Sequence, residues 1–146
     1  MTVSQISVFA ESKPGHLGRV LNLFENAGVS VRGYSASDTG EYGIVRFIVD
    51  APDKALAALR QAGSACSLTP VICIRLDDKP GELARVMSIL SACDINVTYS
   101  YSMISTYIVI STPEIEHAEK VLAKEPVEMI SQEDIARIAA NLKDGE

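Results

Sequence analysis

Two short segments carry residue types suited to gripping a small molecule: Lys13-Pro14-Gly15-His16-Leu17 and Lys79-Pro80-Gly81-Glu82-Leu83. A glycine after proline serves either a tight turn or the close approach of a ligand to the backbone, and from the residues alone both readings stay open. His16 is one of two histidines. It reads as an exposed loop residue, because Glu82 stands in its place in the second segment and no shared imidazole chemistry needs it. His117 reads as a solvated residue on a helix. Asn96 is either a ligand acceptor or a polar residue at a strand start. Asp38, followed by Thr39-Gly40, reads first as turn chemistry and second as a ligand contact. Asp77, Asp78 and Glu82 read as solvated loop acids. Calcium requires a dedicated loop of many oxygens, and the first segment offers Glu11 and Ser12 at two of those places. No metal site and no cofactor are expected.

Known catalytic spacings are missing. There is no Gly-x-x-x-x-Gly-Lys-Ser/Thr, His-Glu-x-x-His or Gly-x-Ser-x-Gly, and Gly15 with Gly18 lacks the spacing of a dinucleotide fingerprint. Tyr99, Tyr101 and Tyr107 fall on strand segments and read as packing or interface residues. Cys66, Cys73 and Cys93 are odd in number and form no Cys-x-x-Cys, so they read as small apolar residues rather than redox or metal groups. A non-enzymatic protein is expected.

Composition narrows the partners. The chain has 146 residues with a formal charge of −6 and an isoelectric point near 4.9. A nucleic-acid binder needs a basic face, since phosphate contacts supply most of its affinity, so no nucleic-acid partner is expected. No stretch approaches the ~20 apolar residues that span a bilayer. Met1-Thr2-Val3-Ser4-Gln5 lacks the charged start and apolar core of a signal peptide, so no membrane association and a cytoplasmic location are expected.

The two segments are parts of a longer repeat. Lys79 lies 79 − 13 = 66 residues after Lys13, and the same offset pairs Arg19 with Arg85, Val20 with Val86, Leu23 with Ile89, Val29 with Ile95 and Val31 with Val97. A register kept over some twenty residues is evidence of duplication. Ile6, Val8 and Ala10 alternate with Gln5, Ser7 and Phe9, and Ile72, Ile74 and Leu76 with Val71, Cys73 and Arg75, which predicts a strand opening each copy. Leu17, Val20, Leu21 and Phe24, then Leu83, Val86, Met87 and Leu90, recur at helical spacing. Gly28 and Asp94 take the left-handed position that ends each helix. Strands over 29–37 and 95–102, strands over 44–49 and 106–110, helices over 53–62 and 115–124, and short strands over 65–69 and 127–130 complete a β-α-β-β-α-β unit twice. A last helix begins at Ser131, with Ile135, Ile138, Ala139 and Leu142 as its apolar stripe. The expected domains are 1–69, 70–130 and a helical extension over 131–146.

A β-α-β-β-α-β unit with Lys-Pro-Gly-x-Leu after its first strand, and Ala27-Gly28-Val29-Ser30-Val31 after its helix, resembles an ACT domain. Both copies share the resemblance, over about residues 3–130. The second copy departs after Asn96, with a shorter hairpin and Tyr99-Ser100-Tyr101-Ser102-Met103. The resemblance implies an α+β fold: two ferredoxin-like units whose antiparallel sheets pair side by side into one eight-stranded sheet, with helices on one face and the C-terminal helix added. It also implies an amino-acid ligand at the seam. One site would set Lys13, Pro14, Gly15, His16 and Leu17 against Asp94, Ile95, Asn96 and Val97. The mirror site would set Lys79, Pro80, Gly81, Glu82 and Leu83 against Ser30, Val31, Ser37 and Asp38. Helix-start amides would hold the carboxylate, and acceptors such as Asn96 or Asp38 the ammonium. The expected function is that of a regulatory sensor. The alternative is a regulatory subunit or interaction module for a metabolic enzyme, with little ligand affinity. A homodimer is expected, since the last helix and the outer sheet face both need cover.

Overall fold

The structure is a computed structural model that describes residues 1–11, 13–38, 40, 42–103 and 106–144, with the side chains of Asp38 and residues 139–144 outside that description. Its elements are β1 (Val3–Glu11), α1 (His16–Asn26), β2 (Val31–Asp38), β3 (Tyr42–Val49), α2 (Pro52–Gln61), β4 (Ala65–Arg75), α3 (Glu82–Ala92), β5 (Tyr99–Ser102), β6 (Tyr107–Ser111), α4 (Ile115–Ala123), β7 (Glu128–Ile130) and α5 (Gln132–Asp144). Seven strands thus form among the described residues, where eight are expected from the repeat. The fourth strand of the first copy and the first of the second are one strand, β4. Pro70 sits between them and does not break the chain, because its fixed φ suits extended backbone.

The chain divides into two compact units, one of Ser4–Thr69 with Glu133–Glu146, the other of Met1–Val3 with Pro70–Gln132. In the first unit the strands run antiparallel in the order β2-β3-β1. Ile6 lies opposite Phe47, Val8 opposite Val45 and Ala10 opposite Gly43. This register puts Ile6, Val8, Val45, Phe47 and Val49 on one face, where they pack with Val20 and Phe24 of α1 and with Ala55 and Leu59 of α2. Phe24 meets Phe47 edge to face, with ring centroids 5.0 Å apart and planes at 88°. Val20 and Phe24 are buried while Leu21 is exposed, so the stripe of α1 runs through Leu17, Val20, Phe24 and Ala27 rather than through Leu21.

α5 belongs to this unit. Val31 joins the core, and the neighbouring Arg32 sits at the register shift between Val31 and Gly33, where its side chain reaches α5. There its Nε donates to the carbonyl of Ile135 at 3.3 Å. Ile135 and Ile138 are buried, as is Ile48, which lies on the same side of β3 as Arg46. The sheet therefore has α1 and α2 on one face and α5 on the other.

In the second unit the order is β5-β6-β4-β7. Ile72, Ile74, Leu76 and Ile110 pack with Val86 and Leu90 of α3 and with Ala118 and Leu122 of α4. The amine of Met1 pairs with the carboxylate of Glu119 on α4. Both repeat helices end alike. Gly28 has φ 73° and Asp94 φ 58°, and the next amide bonds back to the last turn, Val29 to Phe24 at 2.9 Å and Ile95 to Leu90 at 3.0 Å.

Candidate functional site

Each helix that follows a Lys-Pro-Gly segment starts with the same backbone turn. Gly15 caps α1 with φ 84° and ψ −7°, and Gly81 caps α3 with φ 89° and ψ −7°. A β-carbon at either glycine would meet nothing within 4 Å. The left-handed φ, not crowding, is what asks for glycine, and the tight-turn reading accounts for both residues. The first intrahelical bonds are those of Arg19 to Gly15 at 3.1 Å and Arg85 to Gly81 at 2.9 Å. The amides of Leu17 and Gly18, and of Leu83 and Ala84, precede them and have no helical carbonyl to bond. Neither cap residue supplies a side-chain hydrogen bond, so both helix starts keep donors for an anion.

Beneath the start of α1 the first unit holds a cavity of about 190 Å³, lined by Ala10, Glu11, Lys13, His16, Leu17, Ala36, Ser37, Gly43 and Val45. It exists because small residues meet in register. Ala10 faces Gly43 and Ala36 faces Val45, which leaves little side chain below His16 and Leu17. The rim is polar. Lys13 Nζ lies 2.8 Å from Glu11 Oε2 with both side chains largely in water, and this contact holds the Glu11 carboxyl below the usual range. Ser37 Oγ donates to the carbonyl of Ile44 at 3.5 Å. His16 Nε2 is shielded from solvent with no hydrogen-bond partner among the described residues. The imidazole is therefore partly buried rather than the exposed loop group expected.

The second unit has a cavity of different character, about 380 Å³, lined by Arg75, Asp77, Glu82, Arg85, Glu125, Pro126, Val127 and Glu128. Its cations are already engaged. Arg85 Nη2 donates to Glu82 Oε2 at 3.1 Å and to the carbonyl of Pro126 at 3.2 Å, and Arg75 Nη1 to Glu128 Oε2 at 3.4 Å. Lys79 lies 4.0 Å from Asp77 in open solvent.

A family model described as an ACT domain pair matches residues 1–139. The chain belongs to that family. Among solved structures, a protein from Bacteroides thetaiotaomicron is similar at 29% identity with a TM-score of 0.89, over 94% of this chain and 98% of that one. The ligand-free regulatory subunit of aspartate kinase from Thermus thermophilus is similar in fold, at 20% identity and a TM-score of 0.61, over 82% and 87% of the two chains. So is the regulatory subunit of aspartate kinase from Thermus flavus, at 20% identity and 0.59, over 82% and 88%. Comparison with curated protein sequences gives no match.

Of the residues expected to bind ligand, the first ACT unit brings Lys13, His16, Leu17 and Ser37 around one cavity, with Pro14 and Gly15 in the turn between. Ser30 and Val31 lie at the other end of β2, roughly 20 Å from Ser37 along an extended strand. Val31 packs on the core, and the Ser30 amide donates to Asp50 Oδ1 at 2.9 Å. Asp38 pairs with Gly43 through its backbone, and its side chain lies outside the described residues. In the second ACT unit Glu82 lines the polar cavity and Leu83 is exposed. Ile95 is buried and Val97 packs beside it on the core, while Asn96 between them is exposed. The cavity floor of Ala10, Ala36 and Gly43 escaped sequence reading. Its signal is small residues at facing positions, visible only once strand register is known. No group of three or more His, Cys, Asp and Glu among the described residues is arranged to hold a metal ion, and no helix there is long and apolar enough to cross a membrane.

Proposed function

We propose that this chain is a non-enzymatic regulatory protein that senses an amino acid through its Lys-Pro-Gly loops. The observation that carries the reading is the repeated turn: Gly15 and Gly81 adopt the same left-handed conformation and give α1 and α3 starts with no side-chain cap. The amides of such a start suit a carboxylate. In this reading the two ACT units pair their sheets side by side. Lys13–Leu17 then works with Ile95, Asn96 and Val97, and Lys79–Leu83 with Ser30, Val31, Ser37 and Asp38. A ligand that touches both units couples them, and coupling of that kind is how a sensor changes state. The protein acts in the cytoplasm as a homodimer.

A second reading is that of a regulatory subunit for a metabolic enzyme. The fold it shares with two regulatory subunits of aspartate kinase favours it. Thermal unfolding against the twenty common amino acids separates the two. A ligand at a hundred times its dissociation constant adds ~2.7 kcal/mol, so a shift with one or a few amino acids supports the sensor. No shift across the panel, with an enzyme co-purifying, overturns it in favour of the subunit. Sedimentation as a monomer at high concentration removes the homodimer.

A further inference from the structure

The cavity beneath α1 and the matching place in the second ACT unit are built from different residues. At the repeat offset, 74 − 8 = 66, Val8 corresponds to Ile74. Val8 pairs with Val45 and Ile74 with Ile108, so Val45 corresponds to Ile108. Ala36 pairs with Val45 and Ser102 with Ile108, so Ala36 corresponds to Ser102. One pleat further along, Ala10 faces Gly43 in the first unit. Leu76 stands in the place of Ala10 in the second, its amide bonded to the carbonyl of Thr106 at 3.0 Å. Leu76 is only 9% exposed and packs on Ile74 and Val86. A leucine side chain in one unit thus occupies the place that alanine and glycine leave open in the other.

The polar groups differ in the same way. Glu82 at the start of α3 is engaged by Arg85. His16, its counterpart, has a buried Nε2 without a partner among the described residues, and an unpaired buried polar atom is a standing cost that an incoming group can relieve. The volume sets the size of the guest. This pocket, open to solvent at its rim, measures about 190 Å³, room for a small aliphatic side chain. Its walls of Ala10, Leu17, Ala36, Gly43 and Val45 offer a guest apolar contact, with the His16 imidazole as the buried polar group beside them.

We propose that this cavity is a pocket for an aliphatic side chain of leucine's size, carried by the first ACT unit alone. The proposal rests on the amino-acid reading above and deepens it, giving that ligand a chemical class and one place per chain. The unit with Leu76 is the filled copy.

The test is titration calorimetry of the full chain with L-leucine, L-isoleucine, L-valine, glycine, L-aspartate and L-lysine. Binding of leucine, isoleucine or valine at one equivalent per chain is expected, with no heat from the other three. Ala10→Leu carries the second unit's residue into the first and should weaken leucine binding by about tenfold or more through overpacking. Ala36→Leu fills the same space from an exposed strand position and decides the matter if Ala10→Leu does not fold. Leucine affinity within about twofold of the parent in the folded variants, or two equivalents per chain, overturns the pocket. Binding of aspartate or lysine with none of leucine overturns it while leaving the amino-acid reading intact. Silence from all six, together with no thermal shift from any of the twenty common amino acids, removes both.

Discussion

Gly15 and Gly81, 66 residues apart, hold the same backbone conformation within 5° of φ, at 84° and 89°. The space around both is open, so replacement costs conformation and not contact. Gly15→Ala and Gly81→Ala should each destabilise by about 1–2 kcal/mol, the penalty of an L-residue in the left-handed region. Gly18 makes the control. It lies within α1 with equal room for a β-carbon, and Gly18→Ala should stabilise by about 0.5–1 kcal/mol. Urea unfolding of the three variants checks sign and size together.

Cys73 is 1% exposed, and burial pushes its thiol up from 9.0 to about 12. In the unfolded chain that thiol ionises near 9, while in the folded chain it stays neutral to about 12. The contribution of Cys73 to stability is therefore fully present below pH 9 and is lost as pH rises from there through 12. Cys73→Ala should flatten the alkaline fall in stability relative to the parent, as measured by urea unfolding between pH 8 and 11. At pH 8, a thiol reagent should label exposed Cys93 in the native protein well before Cys73.

The Phe24–Phe47 contact joins α1 to β3. Phe24→Ala should cost about 3–5 kcal/mol through the cavity it opens. A cycle of Phe24→Leu, Phe47→Leu and the double variant should return a coupling of about 0.5–1.5 kcal/mol for the edge-to-face pair. A coupling near zero would assign the stabilisation of both rings to burial alone.

Removal of residues 133–146 should loosen the first unit in preference to the second. It takes away the acceptor of Arg32 and the apolar cover that buried Ile135 and Ile138 supply. Amide exchange should quicken in β2 and β3 and stay slow in β4 and β6 near Ile74 and Val109. Equal quickening in both units would mean that α5 supports the whole chain rather than the unit it joins.

Much of this fold is legible from residue spacing. The 66-residue offset carries Gly28 onto Asp94, and the structure finds left-handed backbone at both. Helix periodicity correctly marks Val20, Phe24, Val86 and Leu90 as buried. Periodicity places Leu21 and Leu83 less well, since both lie at the margin of their stripes and face water. The continuity of β4 is invisible in another sense: the strand expected over 65–69 and the one opening the second copy run on as a single strand, since proline fits extended backbone. The cavity is the hardest part to foresee. Lys13, His16 and Leu17 announce themselves by motif, but Ala10, Ala36 and Gly43 are ordinary small residues on three strands. Only their cross-strand register makes them a floor.

The exchange of chain ends between the units bears on how the molecule is made. Residues from Glu133 onward complete the unit that begins at Ser4, and Met1–Val3 complete the unit that ends at Gln132. On the ribosome, the first unit to emerge must therefore wait for the last helix to be translated before its second face is closed. A gene cut near codon 69 would yield two fragments, each lacking a piece carried by the other. Each copy of the repeat is thus finished by residues that lie, in sequence, beyond the other copy.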